Sequence, residues 1–229
     1  MRLLASLLLL VACPLWAGET LRVAVAANFK PTLDQASREF ESATGITVKL
    51  SSASSGVLAS QVRHGAPFDL FFAADRAGPA QLQELAADNS PGAFCYAIGR
   101  LSLAGGQLED LGKSRLSLAI ANPATAPYGR AAMEVLQRQG AANLDRDLVR
   151  GNNVAQAYQF WHSGAVDMAL LPQGMAPADA PLIPADWHKP VAQYALALSD
   201  SAAAERYLKW MRSERVRTLI LDAGYEPCP

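Results

Sequence analysis

At 229 residues, 51% of them hydrophobic and 18% charged, the chain has the make-up of a globular protein with room for one large domain or two small ones. Its 20 Lys and Arg stand against 21 Asp and Glu, a formal net charge of −1, so no basic excess is on hand to hold a nucleic-acid backbone. No low-complexity segment, charge run or repeat period stands out.

The chain opens with MRLLASLLLLVACPLWAGE: one Arg, a leucine-rich run, then small residues. The apolar stretch from Leu3 to Ala12 is shorter than the ~20 residues that span a bilayer. It reads as a cleaved secretory leader, with the cut after Ala17 in Leu15-Trp16-Ala17. The competing reading is a lipoprotein signal, because Leu10-Val11-Ala12-Cys13 resembles a lipobox and Cys13 would then be acylated. Against it, the folded part begins near Thr20, which leaves almost no tether. Either leader implies export. Cleavage at Ala17 leaves Cys95 and Cys228, and an even pair in an oxidising compartment suggests a disulfide. Two separate buried thiols are the alternative. No Cys-x-x-Cys or His-x-x-x-His spacing is present, which argues against a zinc site.

LRVAVA, Leu21 to Ala26, is apolar and β-branched, the pattern of a buried strand. Pro31 to Ala43 follows with Pro in the first turn, Leu33, Ala36 and Phe40 at helical spacing, and Gly45 beyond its end. ITVKLS reads as a second strand and SGVLASQVRHG as a second helix. FDLFFAA is a third strand, after which Asp75 is placed to cap a helix over PAQLQELAA. This alternation predicts a parallel sheet with helices on its faces.

FCYAIG, Phe94 to Gly99, opens a new stretch. RLSLAIA is a strand, Tyr128 to Gly140 and Val154 to Ser163 are helices, and VDMALLP is a further strand, which makes a second α/β unit. A Pro-rich connection leads to the strand VAQYALALS and two closing helices, AAAERYLKWMRS and ERVRTLILDAG. Two helices are too few for a domain and are expected to return to the first unit. The chain therefore reads as two lobes, residues 18–95 with 193–229 and residues 96–192, crossing near 95–98 and 190–194. A cleft between such lobes is where small ligands commonly bind.

The residues at the strand-to-helix junctions carry the functional signal. They are Ala26-Ala27-Asn28-Phe29 and Ser54-Ser55-Gly56 in the first lobe, and Tyr128-Gly129 and Asn152-Asn153-Val154 in the second. In doubly wound sheets these junctions lie at the carboxyl ends of the strands, beside the ligand. Each exposes unpaired N–H groups and the positive end of a helix dipole, which together hold an anion without a charged side chain. Asn28, Ser54, Ser55 and Tyr128 all carry hydrogen-bond donors, which suits a ligand that offers only acceptors. Lys30 and Arg130 read as rim charges that attract without coordinating. The plain alternative is helix capping, since Ser and Asn are ordinary N-cap residues. Donors at junctions in both lobes favour the anion site.

The segments VAANF, SSASSG, GAPFDLFFAAD, AIANPATAPYGRAA and the closing AGY resemble the periplasmic molybdate-binding proteins of ABC importers, over essentially all of the mature chain. The resemblance implies the type II periplasmic binding protein fold, two α/β lobes that close about a hinge on molybdate or tungstate. It implies neutral hydrogen-bond donors as the ligand shell, no cofactor, action as a monomer, and delivery to a permease driven by its ATPase. It carries the ligand positions onto Asn28 with the backbone of Ala27, Ser55, Tyr128 and the N–H of Val154. Two departures mark a variant branch: many relatives have Ser in place of Asn28, and many carry a ligand Tyr where this chain has Pro172. In those relatives the position of Tyr128 is a small residue.

Two alternatives stand beside this reading. One is a binding protein for another tetrahedral oxyanion, sulfate or phosphate, chosen by cavity size. No acidic residue falls inside the four junctions to accept the proton of hydrogen phosphate. The other is a serine hydrolase using Ser55. The Gly-x-Ser-x-Gly elbow is absent, His64 lies too far along the same helix, and His162 and His188 show no Asp partner pattern.

Overall fold

Period-two alternation along short apolar strands decides which helix covers which face of the molecule. A computed structural model describes residues 19–90 and 92–229; the leader, its cut after Ala17 and the lipidation alternative at Cys13 lie outside the described residues. β1 (Thr20–Ala26), α1 (Lys30–Thr44), β2 (Thr47–Ala53), α2 (Ser55–Arg63), β3 (Leu70–Ala73) and α3 (Ala77–Ala80) come first. β4 (Phe94–Gly99) leads through Arg100 into β5 (Leu101–Ala104). β6 (Leu118–Ala121), α4 (Pro127–Arg138), β7 (Leu148–Gly151), α5 (Val154–His162) and β8 (Met168–Pro172) follow. β9 (Val191–Ala197), α6 (Ala202–Met211) and α7 (Glu214–Asp222) close the chain.

Two sheets result, in the orders β2-β1-β3-β9-β4 and β5-β8-β6-β7. In the first, Val23 and Val25 of β1 and Leu70 and Phe72 of β3 face α1, α6 and α7. Ala24, Phe71 and Ala73 face the other way, onto Leu58, Ala59 and Val62 of α2. In the second, Leu118 and Ile120 face α4, while Ala119 and Ala169 face Ala157 of α5. The two closing helices return to the first sheet, as the sequence predicts.

Three expectations need correction. The first sheet is not wholly parallel, because β9 runs antiparallel to both β3 and β4. The segment PAQLQELAA forms no regular helix: α3 is a single turn, followed by a 3-10 turn at Gln83–Leu85. Asp75 does cap that turn, by accepting the N–H of Gly78 at 2.9 Å. β5 and β7 are additional strands: β5 follows FCYAIG after Arg100 alone, with no turn signal to part the two, and β7, LVRG, carries a charged residue and a glycine in its four residues.

The lobes touch. Ala26, Ala27 and Ala74 of the first pack in one apolar cluster with Ala126, Tyr128 and Val154 of the second. The Gly56 N–H donates to Thr125 O at 3.0 Å across the cleft, and Arg130 pairs with Asp75. Glycine at 56 favours this close approach: a Cβ there would stand 3.0 Å from Thr125 O and 3.2 Å from its Cα, so Thr125 would have to give way by a few tenths of an ångström. No described helix is long and apolar enough to cross a membrane.

Cys95 and Cys228 are bonded, with Cα atoms 6.1 Å apart and a sequence separation of 133 residues. A closed loop of that size restricts the unfolded chain strongly. Replacing both cysteines by Ala is expected to lower the unfolding free energy by about 2–4 kcal/mol in a urea titration. An unchanged midpoint would remove the bond from the stability of the fold.

Candidate functional site

The four junctions converge on one small pocket between the lobes. Its walls are Ala26, Ala27, Asn28, Ser54, Ser55 and Ala74 from the first lobe, and Ala126, Pro127, Tyr128 and Val154 from the second. All six residues singled out in the sequence line it. It is small, with a cavity volume of about 10 Å³, room for about one water and far below the ~300–1,000 Å³ usual for organic ligands. No charged side chain lines it, and among the described residues no cluster of His, Cys, Asp or Glu fit to hold a metal ion exists.

At the first junction the donor is the main chain. The Ala27 N–H is committed to Ala53 O at 3.0 Å and that of Phe29 to Ala26 O at 2.9 Å. The Asn28 N–H between them has no partner among the described residues. The Asn28 side chain, expected to donate into the cleft, is used inside the protein instead. Its Nδ2 donates to Gln193 Oε1 at 2.7 Å and to the Tyr225 hydroxyl at 3.2 Å, which engages both amide hydrogens. The Tyr225 hydroxyl in turn donates to Asn28 O at 2.8 Å. Buried Phe29 anchors the loop from below, its ring 4.5 Å from that of Tyr96 and 5.5 Å from that of Tyr225.

At the second junction the hydroxyls are free to donate. Ser54 precedes α2 in extended conformation, makes no capping bond, and its buried Oγ has no partner among the described residues. Ser55 Oγ accepts the Ala74 N–H at 2.9 Å, which leaves its own hydrogen unused. The Ser55 N–H also lacks a partner among the described residues. His64, exposed beyond the far end of α2, has Nδ1 2.7 Å from Ser60 O, so no Ser–His pair forms at Ser55.

In the second lobe Pro127 opens α4 and Tyr128 follows, its N–H without a partner among the described residues. The buried Tyr128 hydroxyl accepts from Gln193 Nε2 at 3.3 Å. Burial pushes this phenol well above the ordinary tyrosine range, Tyr225 adds to the rise, and the Gln193 bond opposes it. Tyr128 is therefore a neutral donor. At α5, Asn153 caps the helix by accepting the Gln156 N–H at 3.1 Å, and the Val154 N–H is left without a partner among the described residues. Side-chain capping thus accounts for Asn153 but not for Phe29, Ser54 or Ala126, the residues before the other three helices.

Lys30 and Arg130 are not free rim charges. Lys30 is paired with Asp34 on α1, and Arg130 with Asp75 across the lobes. Three polar residues behind the pocket went unread in the sequence: Gln193, Tyr96 and Tyr225. The available signal was Gln193 itself, an amide at an inward position of the apolar strand VAQYALA.

Two α/β lobes closed over a neutral, donor-lined pocket are the architecture of a solute-binding protein. The chain belongs to the bacterial extracellular solute-binding proteins, whose family model matches residues 21–226. Within that class it is homologous to the molybdate-binding proteins. It is 33% identical to the molybdate-binding protein ModA of Azotobacter vinelandii, over 94% of this chain and 93% of that one. It is also 33% identical to ModA of Rhodobacter capsulatus, over 96% of this chain and 93% of the relative. The solved structure of the Azotobacter vinelandii periplasmic molybdate-binding protein superposes with a TM-score of 0.83, covering 91% of this chain and 100% of that one.

Four phenols, half-buried Tyr96 and buried Tyr128, Tyr207 and Tyr225, are pushed up chiefly by desolvation. Each stays neutral in the folded protein at a pH where the unfolded chain ionises, about 10. Their contribution to stability is complete below that pH and is lost above it. Urea unfolding is expected to show a flat unfolding free energy from pH 7 to 9 and a steep fall above about 10. A level profile to pH 11.5 would contradict their burial.

Proposed function

We propose that this chain is an exported, periplasmic protein that captures molybdate, and tungstate, in the inter-lobe pocket and delivers it to an ABC permease with its ATPase. The observation that carries the reading is that Asn28, Ser55, Tyr128 and Val154, each with an N–H unpaired among the described residues, line one small neutral space together with Ser54, whose hydroxyl is likewise unpaired among them. A tetrahedral oxyanion offers only acceptors, and a donor set split between the lobes is complete only when they close. Helix starts contribute their dipoles at Ser55, Tyr128 and Val154. The ligand shell we assign is Asn28 N–H beside Ala27, Ser54, Ser55, Tyr128 and Val154 N–H. Homology to the molybdate-binding proteins supports the choice of ion.

Pro172 closes β8 opposite Leu101 and lies off the pocket wall. In this reading Tyr128 supplies the phenol that many relatives carry at the Pro172 position. The lining holds no carboxylate to accept the proton of hydrogen phosphate, which sets phosphate behind molybdate as ligand. For the lobes we keep the division into residues 18–95 with 193–229 and residues 96–192; the chain crosses at β4 and β9, which pair with each other, and β4 stays in the first sheet as far as Gly99.

Calorimetric titration of the mature protein with molybdate, tungstate, sulfate and phosphate tests the reading. Tight one-to-one binding of the first two is expected, with the last two silent. Ser55→Ala and Tyr128→Phe are each expected to weaken molybdate binding by about 10- to 100-fold, the range for a hydrogen bond to a charged group. Because every donor is neutral, wild-type affinity is expected to hold steady from pH 7 to 9. Sulfate binding in place of molybdate would change the substrate; no heat from any oxyanion would end the proposal.

A further inference from the structure

The strand β9 reads VAQYALA, and Val191, Gln193 and Ala195 share its inward face. Val191 belongs to the apolar core of the second lobe and Ala195 to that of the first. Gln193 sits between them at 0% exposure. A wholly buried amide is unfavourable unless it is hydrogen-bonded. Its Oε1 accepts from Asn28 Nδ2 at 2.7 Å and lies 3.0 Å from the Tyr96 hydroxyl. Its Nε2 donates to the Tyr128 hydroxyl at 3.3 Å. One side chain of the first lobe thus holds a pocket residue in each lobe.

The neighbouring strand makes room at the same place. A Cβ at Gly99 would stand 1.9 Å from Tyr128 Oη and 2.9 Å from Gln193 Nε2. Gly99 and Gln193 together form a socket, at the crossing between the sheets, that receives the tip of Tyr128. The socket also sets direction. A phenol has one hydrogen, and here its oxygen is already accepting from Nε2. The hydrogen is then left for the pocket that Tyr128 lines.

We propose that Gln193 is a positioning residue for oxyanion capture, which seats Tyr128 as the lobes close and turns its hydroxyl hydrogen toward the ligand. The inference rests on the oxyanion reading of the pocket. Through Oε1 the same amide fixes Asn28, which lines that pocket and whose N–H has no partner among the described residues. Tyr128 belongs to the other lobe, so its bond to Gln193 is one of the links between the lobes and favours closure to the extent that opening lengthens it.

The test is molybdate titration of the full mature protein carrying Gln193→Leu, Tyr128→Phe, both together, or Gln193→Glu. Gln193→Leu is expected to weaken binding about tenfold alone, and by about threefold on top of Tyr128→Phe, because the part that acts through the Tyr128 hydroxyl is already lost there and only the hold on Asn28 remains. Equal losses in the two backgrounds would show a packing role and overturn the proposal. Gln193→Glu keeps the acceptor toward Asn28 and loses the donor toward Tyr128 when ionised. It is expected to bind about 100-fold more weakly than wild type at pH 8 and to recover at least about tenfold at pH 6, as the carboxyl regains a proton to donate. The unsubstituted protein is expected to bind equally at both. If Gln193→Leu does not fold, this pH profile decides, and a Gln193→Glu protein that matches wild type at pH 8 overturns the inference. Silence of the unsubstituted protein toward molybdate would overturn the functional reading and this inference with it; wild-type binding with unaltered Gln193 variants would overturn this inference alone.

Discussion

Backbone N–H groups that come to the lobe interface without an acceptor among the described residues set the terms for the rest of the molecule. Leaving a buried donor unpaired costs about 1–3 kcal/mol. Asn28, Ser55, Tyr128 and Val154 each bring one to the same small space. Against them the direct polar links between the lobes there are slight: the Gly56 to Thr125 bond, the Gln193 to Tyr128 bond and the Arg130–Asp75 pair. Arg130 is 45% exposed in that pair, so the pair adds about 1 kcal/mol at most. The donors therefore weigh against closure until something supplies acceptors, and a guest rich in acceptors shifts the balance most. In the proposed function, capture and closure are one event for this reason.

The same constraint explains a neutral lining. A lysine or arginine in the pocket would attract any anion at long range and discriminate little between them. Fixed N–H groups act only at hydrogen-bond distance, so they sort ligands by shape and by how many acceptors they present. The two cations nearest the junctions in sequence are withdrawn into pairs, Lys30 with Asp34 and Arg130 with Asp75. The phenol of Tyr128 follows the same logic, since its burial keeps it protonated and able to donate.

The wall of this pocket was legible in the sequence because it follows from connectivity. Strand-to-helix junctions of one sheet gather at one edge, so Asn28, Ser54, Ser55, Tyr128 and Val154 could be placed together from their positions alone. What lies behind the wall was not legible. Tyr225 meets Asn28 across 197 residues, and Gln193 meets it across 165. Those meetings depend on how β9 registers against β4 and where the last helix releases the chain. Asn28 shows the limit most clearly. Residue type announced two donor hydrogens, but only the fold shows that both point inward and that the main chain faces the cleft. β5 and β7 escaped for a simpler reason: β5 runs on from β4 with only Arg100 between them, and β7 mixes Arg150 and Gly151 into four residues, so neither stands out as an apolar run.

The covalent bond and the pocket belong to one line of support. Cys228 is tied to Cys95 on β4, and the Glu226 N–H and C=O pair with Ile98 at 2.9 and 2.8 Å on the same strand. Tyr225, next in line, holds the Asn28 loop through its carbonyl and its side chain. β4 is thus gripped by β9 along one edge and by the C-terminal segment near both of its ends. A strand held in this way does not bend easily, so in the proposed function the relative motion of the lobes falls to the residues just beyond it. Only Arg100 separates β4 from β5, and it is itself paired with Glu226. Gly99 stands immediately before that pivot, with Gln193 nearby on the adjoining strand. Side chains this close to a pivot move least as the lobes swing, which suits the socket that receives Tyr128: the first-lobe half of the site stays built, and closure brings the second-lobe donors to it.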